Sequence, residues 1–338
     1  MMEAQHRGEG APVALILGLT GGYGGTMAQA LHSAGYRIRA LVRDREKGEN
    51  QARALGVQAT FSVGDVLERA ALARAAEGVA VVVHGVNAPY HQWDPMIYRM
   101  ADAVGEAAAR AGADLLFPGN VYSLPVGEGL DEETPFASPT KKGQLREAVE
   151  TLLAKHMQGR GRLIILRGGD FFGVAGASSW MSHILEGAIR GGAMRYPTDL
   201  NTRHQWAFLP DFARAHVALI DRLDGAPTHH TFHFQGHILT GQAWAESVRQ
   251  SLGDLQRPVK SVPWWLYSLL GLFVPMLRAL VGMRYLWDKE VLMDGSRLNT
   301  LLGPGFHTPI NEAVHAELVS HGWDPGTAVQ ASVQARAH

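Results

Sequence analysis

The chain has 338 residues, of which 46% are hydrophobic and 19% are charged, and its 31 basic and 32 acidic residues leave a net charge of −1. This length exceeds the roughly 100–200 residues of one ordinary domain, so we expect a large domain or a domain with an added lobe. The near-neutral balance excludes a disordered chain, and it excludes the broad basic surface that nucleic acid or an anionic membrane would favour. The absence of cysteine excludes disulfides, thiolate metal sites and cysteine nucleophiles.

Both ends of the chain are expected to be flexible tails. Residues 1–11 are polar and lack the apolar run of a signal peptide, which favours a cytoplasmic protein. Residues 331–338 are interpreted as a second tail.

The first half of the chain alternates short apolar runs with helical patterns. The runs predict strands at Val13–Gly18, Tyr36–Val42, Val57–Phe61, Val79–His84, Asp114–Pro118 and Arg162–Arg167, and the patterns predict helices at Gly22–Ala34, Glu46–Leu55, Val66–Ala76, Pro95–Ala111 and Pro139–His156. Buried strands separated by helices of this length are typical of a parallel sheet that is covered on both faces. We therefore predict an α/β, Rossmann-type doubly wound parallel sheet over residues 12–170.

The second half is less regular. Its patterns predict helices at Ser179–Arg190, Asp211–Leu223 and Gly241–Leu252, a polar loop at Tyr196–Gln205 and a strand at His230–Phe234. We assign residues 171–330 to a smaller, mainly helical substrate lobe that is interleaved with the last strands of the sheet.

Ser261–Leu277 is an uncharged stretch that falls short of the roughly 20 apolar residues that span a bilayer, and it contains two prolines. We interpret it as two buried or pocket-lining helices and do not expect membrane contact. The alternative is an in-plane membrane contact, since Trp264, Trp265 and Tyr267 are residues that favour interfaces. If these aromatics line a pocket, the substrate has a hydrophobic portion, whereas the other interpretation makes them ordinary core.

Three glycines join the first strand to the first helix with the spacing Gly18, Gly21 and Gly24. Such a turn needs a sharp bend at the first glycine, a close approach to a diphosphate at the second, and tight packing of helix on sheet at the third. The start of the helix then offers unpaired N–H groups to phosphate. Thr20, Gly22 and Tyr23 complete the predicted phosphate cradle.

The end of the second strand indicates which dinucleotide binds. An acidic residue there would accept a hydrogen bond from the ribose of NAD, but this chain has Arg43, followed by Asp44. Because arginine pairs with a 2′-phosphate, the sequence favours NADP(H) over NAD(H), which remains possible. The alternative is an exposed Arg43 that pairs with a nearby acid. Asp65, followed by Val66, is placed to accept from the adenine amino group or to cap a helix.

These residues resemble an extended short-chain dehydrogenase/reductase of the NAD-dependent epimerase/dehydratase type, from about residue 13 to about 325. The resemblance is carried by the segments GLTGGYG, LVRD, GDV, VVVHGVN, NVY, LRGGDFFG and HQWAFLPDFARA, which begin at Gly18, Leu41, Gly64, Val81, Asn120, Leu166 and His204. It implies that Gly85, Val86, Asn87, Gly169 and Asp170 flank the dinucleotide.

The chain departs from this family at its usual acid/base motif, Tyr-x-x-x-Lys. The family alignment implied by the flanking residues places Lys142 at the tyrosine, Arg146 at the lysine and Pro118 at the usual serine. Asn120 and Tyr122 then remain as candidates to orient a substrate oxygen. A desolvated Lys142 is the candidate proton donor, and Arg146 is assigned to ribose or phosphate.

Each of these assignments has a structural alternative. Lys142 and Arg146 would then belong to a solvated helix face, and Tyr122 would pack under its loop. Tyr98 and His91 are weaker candidates for the same pocket. The histidines between His229 and His237 are assigned to a polar strand face, and no metal site is expected because no carboxylates complete a ligand set.

We therefore predict an NAD(P)-dependent oxidoreductase or epimerase/dehydratase that transfers a hydride to or from a small carbonyl or alcohol substrate. The alternative is a non-catalytic NADP(H)-binding sensor or regulatory protein, which the missing tyrosine motivates. No nucleic-acid partner is expected, and a homodimer through the helices Pro95–Ala111 and Pro139–His156 is plausible in this family.

Overall fold

The computed structural model describes residues 10–174, 180–190, 192–223 and 228–323. Most of the predicted N-terminal tail, the predicted tail 331–338 and the end of the predicted lobe lie outside the described residues. The predicted helix start at Ser179 lies outside them as well.

A seven-stranded parallel sheet forms the centre of the molecule. The described residues form fourteen strands: β1 Val13–Leu17, β2 Arg37–Val42, β3 Ala59–Val63, β4 Val81–His84, β5 Asp114–Asn120, β6 Gly127–Leu130, β7 Leu163–Gly168, β8 Asp170–Phe172, β9 Met194–Tyr196, β10 Arg203–Phe208, β11 His229–His233, β12 His237–Thr240, β13 Val259–Ser261 and β14 Val291–Met293. The central sheet has the order β11-β7-β5-β4-β1-β2-β3, and every neighbouring pair is parallel. This order confirms the predicted doubly wound fold, which binds its ligand where the strand order reverses, beside β1 and β4.

Helices cover both faces of this sheet. The described helices are α1 Gly22–Ser33, α2 Arg45–Ala54, α3 Arg69–Ala76, α4 Trp93–Ala111, α5 Lys141–Met157, α6 Trp180–Ile189, α7 Leu209–Arg222, α8 Gly241–Leu252, α9 Trp264–Leu270, α10 Pro275–Val281, α11 Tyr285–Asp288, α12 Ser296–Leu302 and α13 Ile310–Ser320, with 3-10 turns at Tyr90–Gln92 and Val121–Ser123. Helices α3, α4 and α5 pack together on one side, and α1 packs with α7 on the other. Strand β1 is apolar throughout because Leu15 and Leu17 face one hydrophobic cluster while Ala14 and Ile16 face the other.

A smaller lobe follows the sheet and has its own hydrophobic cluster. Its largest buried side chains are Trp206, Trp244 and Trp287, supplied by β10, α8 and α11. One residue, Gly169, separates β7 of the sheet from β8 of the lobe, so the lobe begins at the carboxyl edge of the sheet. Between the segments of the lobe, α7 and β11 return to the central sheet.

Most predicted elements differ from the structure by one or two residues at an end, and two differ by three. The predicted polar loop Tyr196–Gln205 is wrong at its end, because Arg203 begins β10, which pairs with both β8 and β12. The predicted helix from Val66 begins three residues later, at Arg69. Both errors lie at the end of an element that is rich in polar residues. There the sequence pattern is weak, and contacts with other parts of the fold decide where the element begins.

The predicted polar strand face holds for His229, which is exposed, but it is wrong for His233 at the end of β11 and for His237 in β12. His233 and His237 are 0% and 5% exposed. The His233 ring lies 2.9 Å from the Leu130 carbonyl oxygen and 3.1 Å from the Arg167 guanidinium, because the chain after β6 covers this edge strand. Among the described residues no group of three or more potential ligands is arranged to hold a metal.

The uncharged segment Ser261–Leu277 forms α9 and the start of α10. No helix among the described residues is long and apolar enough to cross a membrane. The predicted pocket-lining role is confirmed for Tyr267 and Leu277, which line a cavity of about 720 Å³. The alternative of ordinary core is wrong for the turn between the helices, where Phe273 is 82% exposed.

His216 on α7 is a buried histidine whose protonation should couple folding to pH. Its Nε2 lies 3.0 Å from the Ile164 carbonyl oxygen, so it donates there, and its Nδ1 accepts from the Tyr23 hydroxyl at 3.1 Å. Burial lowers the pKa of His216 to about 4, whereas an unfolded histidine titrates near pH 6.5. Because the unfolded chain takes up the proton first, this stabilisation is complete above about pH 6.5 and is lost as the pH falls toward 4.

We expect His216→Gln to flatten the acid dependence of the unfolding free energy, by up to about 3 kcal/mol between pH 6.5 and 4. Urea denaturation at several pH values measures this slope. The control His91→Gln, at an exposed site, should keep the wild-type slope, and an unchanged slope in His216→Gln would contradict the prediction.

Candidate functional site

The chain turns from β1 into α1 through the predicted glycines, and each has its own steric reason. Gly18 has φ +87°, in the left-handed region, and a Cβ there would lie 2.4 Å from the Gly85 carbonyl oxygen. A Cβ on Gly24 would lie 2.2 Å from the Gly18 carbonyl oxygen. A Cβ on Gly21 would meet only that same oxygen, at 3.4 Å. Packing therefore demands glycine at Gly18 and Gly24, whereas Gly21 has a free side that faces a cleft.

This cleft, of about 480 Å³, follows the carboxyl ends of the first four strands. Gly21 and Thr20 line it at the start of α1, whose first amide groups have no intrahelical acceptor and carry a partial positive charge. No acidic side chain lies in the first turn of α1. The bare backbone at Gly21 and the unopposed helix start thus fit the diphosphate of a dinucleotide.

Tyr23 contributes to this cradle less than predicted. Its side chain is buried, stacks on Phe171 with ring centroids 6.4 Å apart and bonds through its hydroxyl to His216. Only its backbone, beside Gly22, is available at the helix start.

The far end of the cleft carries the residues predicted to recognise the adenosine. Arg43 is exposed and lines the cleft with Lys47, and among the described residues Arg43 has no ion pair, so the alternative of a nearby acidic partner is not found. Asp44 instead caps α2, accepting from the Lys47 amide at 3.1 Å. Lys47 also pairs with Asp44 at 3.7 Å, so among the described residues that line this end Arg43 is the cation without an acidic partner.

Asp65 and Val66 line the same cleft after β3. One Asp65 carboxylate oxygen accepts from the Leu67 amide at 2.9 Å. Because α3 begins at Arg69, Asp65 closes a turn and is not the helix cap that the sequence offered as an alternative.

A second cavity, of about 330 Å³, continues from the first at the carboxyl ends of β4, β5 and β7. Gly85, Val86 and Asn87 line both, so an elongated ligand would pass along them. Gly169 is needed by the fold itself, because a Cβ there would lie 2.0 Å from the Gln205 carbonyl oxygen. Asp170 lines the cavity, and its carboxylate accepts from His204 at 2.8 Å.

Two tyrosine hydroxyls meet in this second cavity. The oxygens of Tyr90 and Tyr122 lie 2.8 Å apart, and both residues line the cavity. Asn120 accepts from the Tyr122 amide at 3.1 Å and so holds the 3-10 turn that carries Tyr122. Burial and the charge of Asp170 raise the pKa of Tyr90 to about 12, and the hydrogen bond from Tyr122 lowers it. Burial raises the pKa of Tyr122 well above its usual value, and the hydrogen bond to Tyr90 raises it as well. The hydrogen bond therefore favours a phenolate at Tyr90 over one at Tyr122.

Arg146 supplies a buried positive charge beside this pair. It donates to the Pro118 carbonyl oxygen, and its guanidinium lies 4.6 Å from the Phe117 ring centroid. Its charge lowers the pKa of both tyrosines. The alternative of a solvated helix face is therefore wrong for Arg146, which is 9% exposed.

Lys142 lies one turn away from Arg146 and is only half-buried. Its ammonium is 5.9 Å from the Tyr90 ring centroid, and burial lowers its pKa. It is not among the residues that line the second cavity. The structure thus places Asn120, Tyr122 and Arg146 together and leaves Lys142 behind Tyr90.

Sequence reasoning missed Tyr90 and His84. It considered Tyr98 and His91 in the same region, but both are exposed. His84 ends β4 and faces the cavity, edge-on to the Phe117 ring with centroids 5.1 Å apart, and in the described part of the chain neither ring nitrogen has a hydrogen-bond partner. Burial, assisted by the charge of Arg146, lowers its pKa to about 4, so the ring is neutral. Their positions could have identified both residues, because His84 is the last residue of β4 and Tyr90 lies in the 3-10 turn that follows this strand, at the edge of the sheet where ligands bind.

Gly21 and Gly24 offer a matched pair of substitutions. Gly24→Ala forces a Cβ onto the Gly18 carbonyl oxygen, so we expect a loss of about 1–3 kcal/mol of unfolding free energy. Gly21→Val fills the cleft but meets no backbone closer than 3.4 Å at its Cβ. It should keep the wild-type melting temperature and lose dinucleotide binding at least tenfold. Thermal melts and calorimetry with NADPH measure both, and wild-type affinity in Gly21→Val would refute the assigned cradle.

Comparison with known proteins agrees with this geometry. The sequence model of the NAD dependent epimerase/dehydratase family matches residues 14–233. A comparison with curated proteins gave no significant match.

Solved structures of similar fold include three epimerases. UDP-glucose 4-epimerase from Bifidobacterium longum, in complex with NAD+ and UDP, is 16% identical, with a TM-score of 0.72 over 93% of this chain and 99% of that one. A nucleoside-diphosphate-sugar epimerase from Pseudomonas aeruginosa is 16% identical, with a TM-score of 0.69 over 93% and 98%. A variant of UDP-glucuronic acid 4-epimerase from Bacillus cereus, in complex with NAD and a fluorinated UDP-sugar, is 14% identical, with a TM-score of 0.72 over 91% and 98%.

At these identities the solved structures show only a shared fold. The family match covers well over half of the chain and therefore shows the family. It confirms the predicted recognition of a nicotinamide dinucleotide and the predicted class of enzyme, one that acts by hydride transfer. The chain belongs to the NAD dependent epimerase/dehydratase family.

Proposed function

We propose that this protein uses NADP(H) to move a hydride to or from a carbonyl or alcohol carbon, with Tyr90 as the proton donor and acceptor. One observation carries the proposal. Tyr90 lines both the cavity that continues from the dinucleotide cleft and the neighbouring apolar cavity, and its hydroxyl is held by Tyr122.

Bound NADP(H) would supply or accept the hydride at its nicotinamide ring. The chain's own residues would position it, with Gly21 and Gly22 at the diphosphate, Gly85, Val86 and Asn87 along its length, and Gly169 and Asp170 near the nicotinamide end. Arg43, which has no acidic partner among the described residues, favours the 2′-phosphate of NADP(H) over the bare ribose of NAD(H).

The hydrogen bonds around Tyr90 indicate how it would transfer a proton. When Tyr90 gives its proton to a substrate oxygen, the Tyr122 hydroxyl donates to the phenolate that is left. The buried charge of Arg146 stabilises the same phenolate. The Tyr122 hydroxyl and Arg146 thus stabilise the phenolate against the opposing effects of burial and Asp170. Tyr90 lies on the β4 side of the cavity, whereas the tyrosine and lysine of the usual motif belong to the α5 side.

The substrate is proposed to carry an apolar portion. The cavity of about 720 Å³ beside Tyr90 is lined mainly by apolar side chains, among them Ile184, Val262, Met276 and Leu280. The similar epimerases bind UDP or a UDP-sugar, which are charged ligands. In this chain Arg195 is the charged residue among the described residues that line the cavity. An amphipathic carbonyl or alcohol compound fits this lining best.

A homodimer through α4 and α5 is proposed with it. These helices pack side by side, and Tyr98 of α4 is 42% exposed beside a shallow depression that α5 completes.

Tyr90→Phe removes the proposed acid while it keeps the ring. We expect NADPH oxidation with a panel of aliphatic aldehydes and cyclic ketones to fall about 10²–10⁴-fold, with the NADPH dissociation constant unchanged. Tyr122→Phe should cause a smaller loss, and Lys142→Met a loss below tenfold.

Equal turnover by Tyr90→Phe and the wild type would contradict the role of Tyr90, and loss confined to Lys142→Met would return that role to the lysine. Tight NADPH binding without oxidation by any compound would favour the non-catalytic sensor.

Arg43→Ala should weaken NADPH binding at least tenfold and leave NADH binding within about threefold, because only the 2′-phosphate contact is removed. Fluorescence titration of each coenzyme measures this. Arg45→Ala is the matched control, since Arg45 is exposed nearby but pairs with Glu49 at 2.7 Å. Equal losses for both coenzymes in Arg43→Ala would argue against NADP(H) preference.

A further inference from the structure

Helices α9 and α10 form a hairpin whose end projects from the lobe. Of the eleven large hydrophobic side chains exposed among the described residues, six lie in this one segment of ten residues. We call them the tip: Trp265 (72% exposed), Leu269 (53%), Leu270 (40%), Leu272 (64%), Phe273 (82%) and Val274 (41%). So dense an apolar cluster on a surface marks a contact with something else.

The tip is held in place by the rest of the lobe. The indole N–H of Trp264 donates to the Pro197 carbonyl oxygen at 2.5 Å, which fixes the base of α9. Arg278 donates to the carbonyl oxygens of Gly271 and Leu272, at 2.9 and 2.8 Å, which fixes the turn. The exposure is therefore a feature of an ordered turn with its hydrogen bonds made.

Three basic residues, which we call the collar, lie on the hairpin and on the strands beside it: Arg195 on β9, Lys260 on β13, which leads into α9, and Arg278 on α10. Arg195 of β9 and Lys260 of β13 stand directly opposite each other in a parallel register, where like charges repel. Both are exposed, as is Arg278, and none of the three has an ion pair among the described residues. From Leu255 to Trp287 the chain contains no acidic residue. Uncompensated positive charge beside an apolar tip favours a partner that is apolar inside and anionic outside.

We propose that the hairpin docks on the surface of an anionic lipid bilayer. The tip enters the boundary between headgroups and acyl chains, with Trp265 at the depth that indole rings favour, and the collar of Arg195, Lys260 and Arg278 contacts the anionic headgroups. The helices are far too short to span the bilayer, so the contact is peripheral.

A second copy of the chain is the other apolar partner to weigh. In a symmetric pair through the tip, the same collar would face itself, and three uncompensated cations on each side would repel. A bilayer with acidic headgroups neutralises them instead. The charge pattern therefore favours lipid.

The inner faces of the same helices connect the proposed docking surface to the apolar cavity. Tyr267, Met276 and Leu277 line the apolar cavity beside Tyr90. If the proposed function holds, an amphipathic substrate would pass from the bilayer into that cavity along the hairpin. The docking itself does not depend on that chemistry and is tested by binding alone.

Co-sedimentation of the full chain with vesicles tests the proposal. Vesicles of phosphatidylcholine with 30% phosphatidylglycerol should bind the protein at least tenfold better than phosphatidylcholine alone, and 0.5 M NaCl should weaken this binding. The double variant Leu272→Ser/Phe273→Ser should lose binding at least tenfold, and Lys260→Glu should lose the preference for anionic lipid. The matched control Val126→Ser/Val319→Ser, which removes two exposed apolar side chains elsewhere, should bind as the wild type does.

Calorimetric NADPH binding by each variant reports whether the dinucleotide domain is intact. Failure of the wild type to bind anionic vesicles, or equal binding by the tip variant, would overturn the proposal whether or not Tyr90 acts as proposed. A tip-dependent dimer in light scattering, without vesicle binding, would assign the tip to self-association and overturn it as well.

Discussion

The site depends on how closely three backbone segments approach one another. The turn at Gly18, the first turn of α1 at Gly24 and Gly85, directly after β4, pack with no room for a Cβ between them. This contact brings the start of α1 to the point where the strand order of the sheet reverses, and the dinucleotide cleft opens beside it. A sheet with the same strands but a wider gap here would have neither the exposed amides nor the continuous floor along β4.

The sequence was sufficient to predict this part because its signals are local. A continuous apolar strand, glycines at fixed spacing and the helix that follows are all contiguous, and packing against both faces makes every residue of β1 apolar. The position of Arg43 in the cleft was predictable for the same reason, since Arg43 directly follows its strand.

The reacting end was harder to predict because its residues come from separate segments. Tyr90 meets Tyr122 only because β4 and β5 are neighbours and a 3-10 turn follows each. The family pattern drew attention to α5, where Lys142 occupies the tyrosine position, although the side chain ends behind Tyr90. The exposed side of the hairpin was missed for a related reason: apolar composition alone does not distinguish an inner face such as Tyr267 from an outer one such as Phe273. The net charge of −1 likewise concealed the collar, because opposite charges elsewhere cancel it in the sum.

The 3-10 turn at Tyr90–Gln92 has one more consequence through its packing. Helix α10 packs directly against this turn, so the segment that carries Tyr90 is in contact with the hairpin. A displacement of α10 would therefore act directly on the turn that carries Tyr90. The residue that we propose as the acid and the hairpin that we propose as the docking surface are thereby joined by one packing contact, while the glycine turn belongs to the central sheet.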